Sequence, residues 1–282
     1  MTAGGRLRLP DGAELHHESR GPRDAPTVVF VNSHFMRGSS WWDFTGELTH
    51  RFRVVTYDLR DQGASASAEG ELTLATHVDD LRHLVDALGG PVHLVGTSVS
   101  TLICRDFAVA HPDAVAGMVL VGPVFNPFGG RRRAQLTRSW LRSLELGGPR
   151  ALFDHLYPLL YAERTVEVGG AATYLALRER FLAHNTAAGL ARSLRASLGG
   201  DDGWAVLTRV VCPVSLVVGG SDFFSSPASV AELARLMPDA RSVVLPTAGH
   251  LAYVEAPAEF ADLVARFVSE VEAARAIPIG AP

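Results

Sequence analysis

Val92-His-Leu-Val-Gly-Thr-Ser-Val-Ser100 is the stretch whose reading decides the fold. A short apolar run meets Gly96, a serine follows two residues later, and Thr101–Ala110 has the composition of a helix. Strand, sharp Gly-x-Ser turn and helix together lift a serine hydroxyl clear of the backbone at the top of a sheet. The same turn points a helix N-terminus at whatever the serine attacks, where backbone N–H groups stabilise developing negative charge. The usual G-x-S-x-G pattern has glycine at the last position, where this chain has Ser100.

Working outward, strands alternate with helices. Leu7–Pro10 and Ala13–Ser19 flank the turn signal Asp11-Gly12 and read as two antiparallel edge strands. The apolar runs Thr27–Val31, Arg53–Tyr57, Val92–Val95, Ala116–Val121, Pro213–Val218 and Arg241–Leu245 read as buried strands. Between them, a short helix is expected near Trp42–His50. Leu74–Leu88 carries apolar residues at helical spacing, Ser229–Met237 is a helix, and Pro257–Ala274 is a long closing one. This rhythm predicts an α/β fold, a mostly parallel eight-stranded sheet flanked by helices. It breaks between Asn126 and Arg209, where no strand is convincing and large apolar residues crowd helix-like pieces. The expected organisation is therefore a core of 1–125 and 210–282 with a helical cap inserted at 126–209. The tail Ile277–Pro282 is expected to fray.

Composition narrows the function classes. The 282 residues are 47% hydrophobic and 20% charged, enough for a sizeable core. A net charge of −4 gives no electrostatic reason to expect nucleic acid or an anionic membrane as partner. Two cysteines, Cys104 and Cys212, are too few for a disulfide framework, and no Cys/His spacing suggests a metal. No apolar run has the length of a signal peptide or a membrane span, so a cytoplasmic protein is expected. Cys104, on the helix after the serine, reads as a small buried core residue.

Ser98, Asp222 and His250 each fall just past a predicted strand, where ligands bind in open α/β sheets. A serine hydroxyl is a poor nucleophile until a base takes its proton, and an imidazole needs an acid to fix its tautomer. Each has a plainer reading too: Ser98 as a helix N-cap, Asp222 as a turn residue or the cap of the helix after Pro227, His250 as a surface histidine.

Taken in order, six motifs resemble the α/β-hydrolase fold superfamily: the strand into Asn32-Ser33-His34, Asp58–Ser65, Gly96–Ser100, His111-Pro112, Gly220-Ser-Asp222 and Gly249-His250. The resemblance implies Ser98 as nucleophile, His250 as general base and acid, and Asp222 as the orienting carboxylate. It implies oxyanion donors at the backbone N–H groups of Val99 and His34. His34 meets substrate through its ring or lends only its backbone; the sequence leaves both open. Phe35, Trp140, Phe153, Tyr157 and Tyr161 are further candidates for the substrate pocket. Many family members have His-Gly where this chain has Asn32-Ser33, so an altered oxyanion loop is expected. An Asn there resembles a branch acting on acyl groups carried by acyl-carrier protein, and Arg131-Arg132-Arg133 is a candidate contact for such a carrier or simply a solvated helix start.

The expected activity is cleavage of an acyl ester or thioester through an acyl-enzyme, with no cofactor and a small-molecule acyl substrate. Acyl transfer and elimination of an acyloxy group are the rivals within the same site, and ligand binding without catalysis the rival outside it.

Overall fold

A computed structural model of the chain describes residues 3–66, 70–126, 128–199 and 203–277. The first residues form β1 (Ala3–Arg8) and β2 (Glu14–Arg20), an antiparallel pair. Then follow β3 (Thr27–Val31), β4 (Arg53–Tyr57), helix α1 (Leu74–Leu88), β5 (Val92–Thr97), α2 (Ser100–Ala110) and β6 (Val115–Val121). Three helices come next: α3 (Arg131–Leu160), α4 (Glu163–His184) and α5 (Ala187–Ala196). The chain closes with β7 (Val214–Gly219), α6 (Pro227–Leu236), β8 (Ala240–Leu245) and α7 (Pro257–Arg275).

The sheet has eight strands in the order β1-β2-β4-β3-β5-β6-β7-β8. Pairings from β4 onward across the sheet are parallel, and β2 joins β4 antiparallel. Successive side chains on a strand face opposite ways, and the cores divide accordingly. Val29 and Val31 pack in one cluster with Leu81, Leu102 and Phe107. Val28 and Phe30 pack in the other with Trp41, Phe260 and Phe267. Both faces are thus covered, which is why the central strands read as continuous apolar runs rather than alternating ones.

Helices α3 to α5 hold a third apolar cluster of their own, with Leu144, Phe153, Leu156, Phe181 and Leu194 among its members. This is where the strand rhythm stops in the sequence. Gly148, between Gly147 and Pro149, takes a φ of 69° and kinks α3; Gly170 does the same in α4 with a φ of 54°. Proline lacks the donor that a continuous helix needs, so the Gly-Pro pair bends α3 there.

Three local expectations are corrected. The first strand lies at Ala3–Arg8 rather than Leu7–Pro10, because Leu9–Ala13 closes the turn through Leu9 N–H to the Ala13 carbonyl (2.8 Å). No single helix covers Trp42–His50: a helical turn at Trp42–Thr45 is separated by Gly46 from a 3-10 turn at Glu47–His50. The strand carrying the key turn runs on to Thr97, two residues past the expected end at Val95. Of the tail expected to fray, residues 278–282 lie outside the described residues.

Candidate active site

Strand β5 stops at Thr97 and α2 starts at Ser100, so Ser98 must turn the chain within two residues. It does so in the left-handed region, with a φ of 51°. A non-glycine residue there is strained by about 1–2 kcal/mol, and the surroundings hold it in place. The Ser98 N–H donates to the Val121 carbonyl on the neighbouring strand at 2.9 Å. Ser100, buried completely, accepts from the Thr97 N–H at 2.7 Å and donates back to the Val31 carbonyl on β3 or the Thr97 carbonyl, each 2.9 Å away. The off-pattern serine therefore ties the turn to the sheet. Tight contact with the helix falls on Gly96 instead, where a Cβ would come within 2.7 Å of Cys104 Sγ. Cys104 itself is fully buried, and desolvation pushes its thiol pKa far up, as suits a core residue.

Asp222 and His250 come together although 28 residues separate them in sequence: His250 Nδ1 lies 2.9 Å from Asp222 Oδ2, with both side chains almost fully buried. The other carboxylate oxygen accepts from the N–H groups of Phe224 (2.7 Å) and Ser225 (3.1 Å). Turn residue and histidine partner are thus one role each for two oxygens. The helix after Pro227 takes its cap from Ser226, which accepts from the Ser229 N–H at 3.1 Å. An imidazole donating from Nδ1 to a carboxylate keeps Nε2 free as an acceptor.

Two supports of this pair were invisible in the sequence. Gly122, with a φ of 55°, lies beneath it: a Cβ there would come within 2.8 Å of the His250 ring and 3.2 Å of Asp222 Oδ2. Glu255 clamps the histidine loop to the α3–α4 corner. Its Oε2 accepts from the Gly249 N–H (2.7 Å), and its Oε1 accepts from the Ala162 N–H (2.9 Å) and the Thr165 hydroxyl. The His250 N–H donates directly to the Leu160 carbonyl at 3.0 Å.

The Asn32-Ser33 departure has a structural explanation. Asn32 is wholly buried and accepts from Trp41 Nε1 at 2.9 Å, and Gln62 donates to the Ser33 carbonyl at 2.8 Å. The left-handed residue of this loop is Phe35, with a φ of 72°. Neither the Val99 nor the His34 backbone N–H donates within the protein among the described residues. The His34 ring turns to α5, its Nδ1 2.6 Å from Ser193 Oγ. Burial, reinforced by His77 and Arg133 nearby, lowers its pKa to about 3, so the ring is neutral near pH 7.

Ser98 and His250 line one cavity together with His34, Phe35, Trp140, Phe153 and Tyr161. The structure does not bring Tyr157 to that wall. It packs behind, against Phe153, Tyr161 and Tyr174. Phe224, absent from the expected set, faces His250 edge-on with ring centroids 4.5 Å apart. Arg132, exposed, donates to the Phe223 and Phe224 carbonyls (2.8 and 2.9 Å), and the half-buried Arg133 donates to the Ser197 carbonyl. Among the described residues, no cluster of His, Cys, Asp and Glu could hold a metal ion, and no helix is long and apolar enough to cross a membrane.

A doubly covered, mostly parallel sheet with serine, acid and histidine following strands β5, β7 and β8 defines an α/β enzyme of the hydrolase kind. The chain belongs to the alpha/beta hydrolase family, whose model matches residues 28–263. It is similar to a thermophilic esterase from Thermogutta terrifontis, solved with malate bound, at 26% identity and a TM-score of 0.84, covering 95% of this chain and 99% of that one. It is similar to the enol-lactonase of Burkholderia xenovorans at 25% identity and a TM-score of 0.83, covering 94% and 100%. The (E)-2-((N-methylformamido)methylene)succinate hydrolase of Acinetobacter baylyi is 23% identical over 256 residues, 89% of this chain and 92% of that one.

Proposed function

We propose that the protein cleaves a carboxylic ester or thioester through an acyl-enzyme on Ser98. The observation that carries this reading is the left-handed Ser98 sharing one cavity with a histidine whose Nδ1 is held by a buried carboxylate. His250 Nε2 takes the Ser98 proton as Oγ bonds to the carbonyl carbon, and the Val99 and His34 N–H groups receive the charge that develops on the carbonyl oxygen. Collapse breaks the bond to the leaving group, which takes the proton from His250. Water then repeats the sequence and frees the acid. Asp222 keeps Nδ1–H in place throughout and steadies the imidazolium. Helices α3 to α5 act as a cap over this site, and the esterase and lactonase likenesses agree with ester chemistry.

A fluorophosphonate probe is expected to label the wild-type protein at Ser98, and Ser98→Ala to lose both labelling and about 10⁴-fold or more in turnover. An active, unlabelled Ser98→Ala protein refutes the nucleophile. Hydrolysis in ¹⁸O-water separates the outcomes: label enters the acid product of hydrolysis, whereas an acyloxy elimination driven by His250 releases the acid unlabelled.

A further inference from the structure

Beside the cavity that holds His250 lies a second one. Both contain His34, Ser98, Trp140 and Phe224; only the second contains Val99, and His250 lines only the first. The two are therefore chambers meeting at the serine, partitioned by a rank of rings. Trp140 stands edge-on to Phe224 (5.6 Å), and Phe224 edge-on to His250 (4.5 Å).

The chemistry assigns the chambers. The leaving oxygen or sulfur must be protonated by the same imidazole that took the serine proton, so the leaving group has to lie on the histidine side. The acyl substituent points away from the leaving group across the carbonyl carbon, into the chamber that lacks His250.

The chambers differ in size. The acyl side is about 50 Å³ and the histidine side about 160 Å³. One water-sized group needs about 10–15 Å³ on this measure, so the acyl side takes about four such groups and the histidine side about a dozen. The small chamber is walled by Val124, Leu136 and Thr137, and Arg132 and Arg133 line it with their guanidiniums bonded to main-chain carbonyls from beyond β7 and after α5. The large chamber carries Phe44, Phe153, Leu177 and Phe181, and Arg180 on its wall is paired with Asp43 at 2.9 Å. We infer that the substrate is a short-chain acyl ester or thioester of a bulkier, apolar alcohol or thiol. This rests on the acyl-enzyme reading above.

Two isomeric esters test it. 2-Phenylethyl acetate has the short acyl and bulky alcohol the chambers call for, and ethyl phenylacetate has the reverse. The expected result is at least about a tenfold higher kcat/KM for 2-phenylethyl acetate. Leu136→Ala, in the small chamber, is expected to narrow that ratio by admitting the longer acyl group; Leu177→Ala, in the large one, is expected to leave unchanged the acyl selectivity read with the alcohol held constant, as kcat/KM for ethyl acetate against ethyl phenylacetate. A preference for ethyl phenylacetate, or a shift in acyl selectivity with Leu177→Ala and none with Leu136→Ala, overturns the assignment. So does failure to cleave either ester while Ser98 still reacts with a fluorophosphonate, which leaves the nucleophile intact. Loss of fluorophosphonate labelling in the folded wild-type protein instead defeats the acyl-enzyme reading itself.

Discussion

Gly122 shows how one missing side chain serves the site. Its left-handed φ of 55° suits glycine, and the imidazole–carboxylate pair occupies the space a Cβ would need. Gly122→Ala is expected to displace the His250 ring rather than unfold the protein. A misplacement of about 1 Å at a reacting group costs about 100-fold in rate, so kcat/KM should fall by that order. Left-handed alanine adds about 1 kcal/mol of backbone strain, so the thermal midpoint should fall only a few degrees. Steady-state kinetics beside thermal melts check both, and full activity in the Gly122→Ala enzyme counts against the packing described. Ser100 teaches the complementary lesson: a residue that departs from a motif is here a buried hydroxyl bridging β5 and β3.

At the scale of elements, the histidine loop and the α3–α4 corner behave as one body. Glu255 joins them by accepting from Gly249 on one side and Ala162 and Thr165 on the other, while Leu160 accepts from His250 directly. Glu255→Gln keeps the size but turns an NH₂ donor toward groups that are themselves donors. One unsatisfied contact of this kind costs about 1–3 kcal/mol. The expected outcome is faster amide exchange at Gly249 and His250 and a lower kcat, with the fluorophosphonate still reacting at Ser98. Unchanged exchange at those two amides refutes the clamp. These bonds tie the place of the His250 ring to the helical layer, a link that neither element shows alone.

For the whole molecule, two histidines held neutral contribute to the response to acid. His77 is almost fully buried, and burial with Arg60 and Arg192 nearby lowers its pKa to about 4; His34 is lowered to about 3. Unfolded, both titrate near the ordinary value of about 6.5, so below that pH the unfolded chain binds protons that the folded protein does not. The stability these two groups contribute is therefore full above about pH 6.5 and is lost as pH falls toward 4. For His77 alone the loss by about pH 4.5 is on the order of 2 kcal/mol. Urea midpoints between pH 7 and 4.5 should fall accordingly, and His77→Gln should flatten the slope. Equal slopes for the two proteins refute the assignment to His77.

The sequence by itself determined the strands from β2 to β8, the break in rhythm that became α3 to α5, and the stretches past β5, β7 and β8 at which Ser98, Asp222 and His250 stand. Those features are local: apolar runs, turn residues and periodicity act over a few positions, and the backbone answers to them directly. The place of Gly122 under the Asp222–His250 contact, the Glu255 clamp and the burial of Asn32 against Trp41 were decided only by the tertiary structure. Each depends on which side chains meet after distant strands are set side by side, and no spacing along the chain encodes that distance. Tyr157 makes the same point in reverse. Its residue type suited a pocket wall, but the rotation of α3 buried it behind Phe153 and Tyr161.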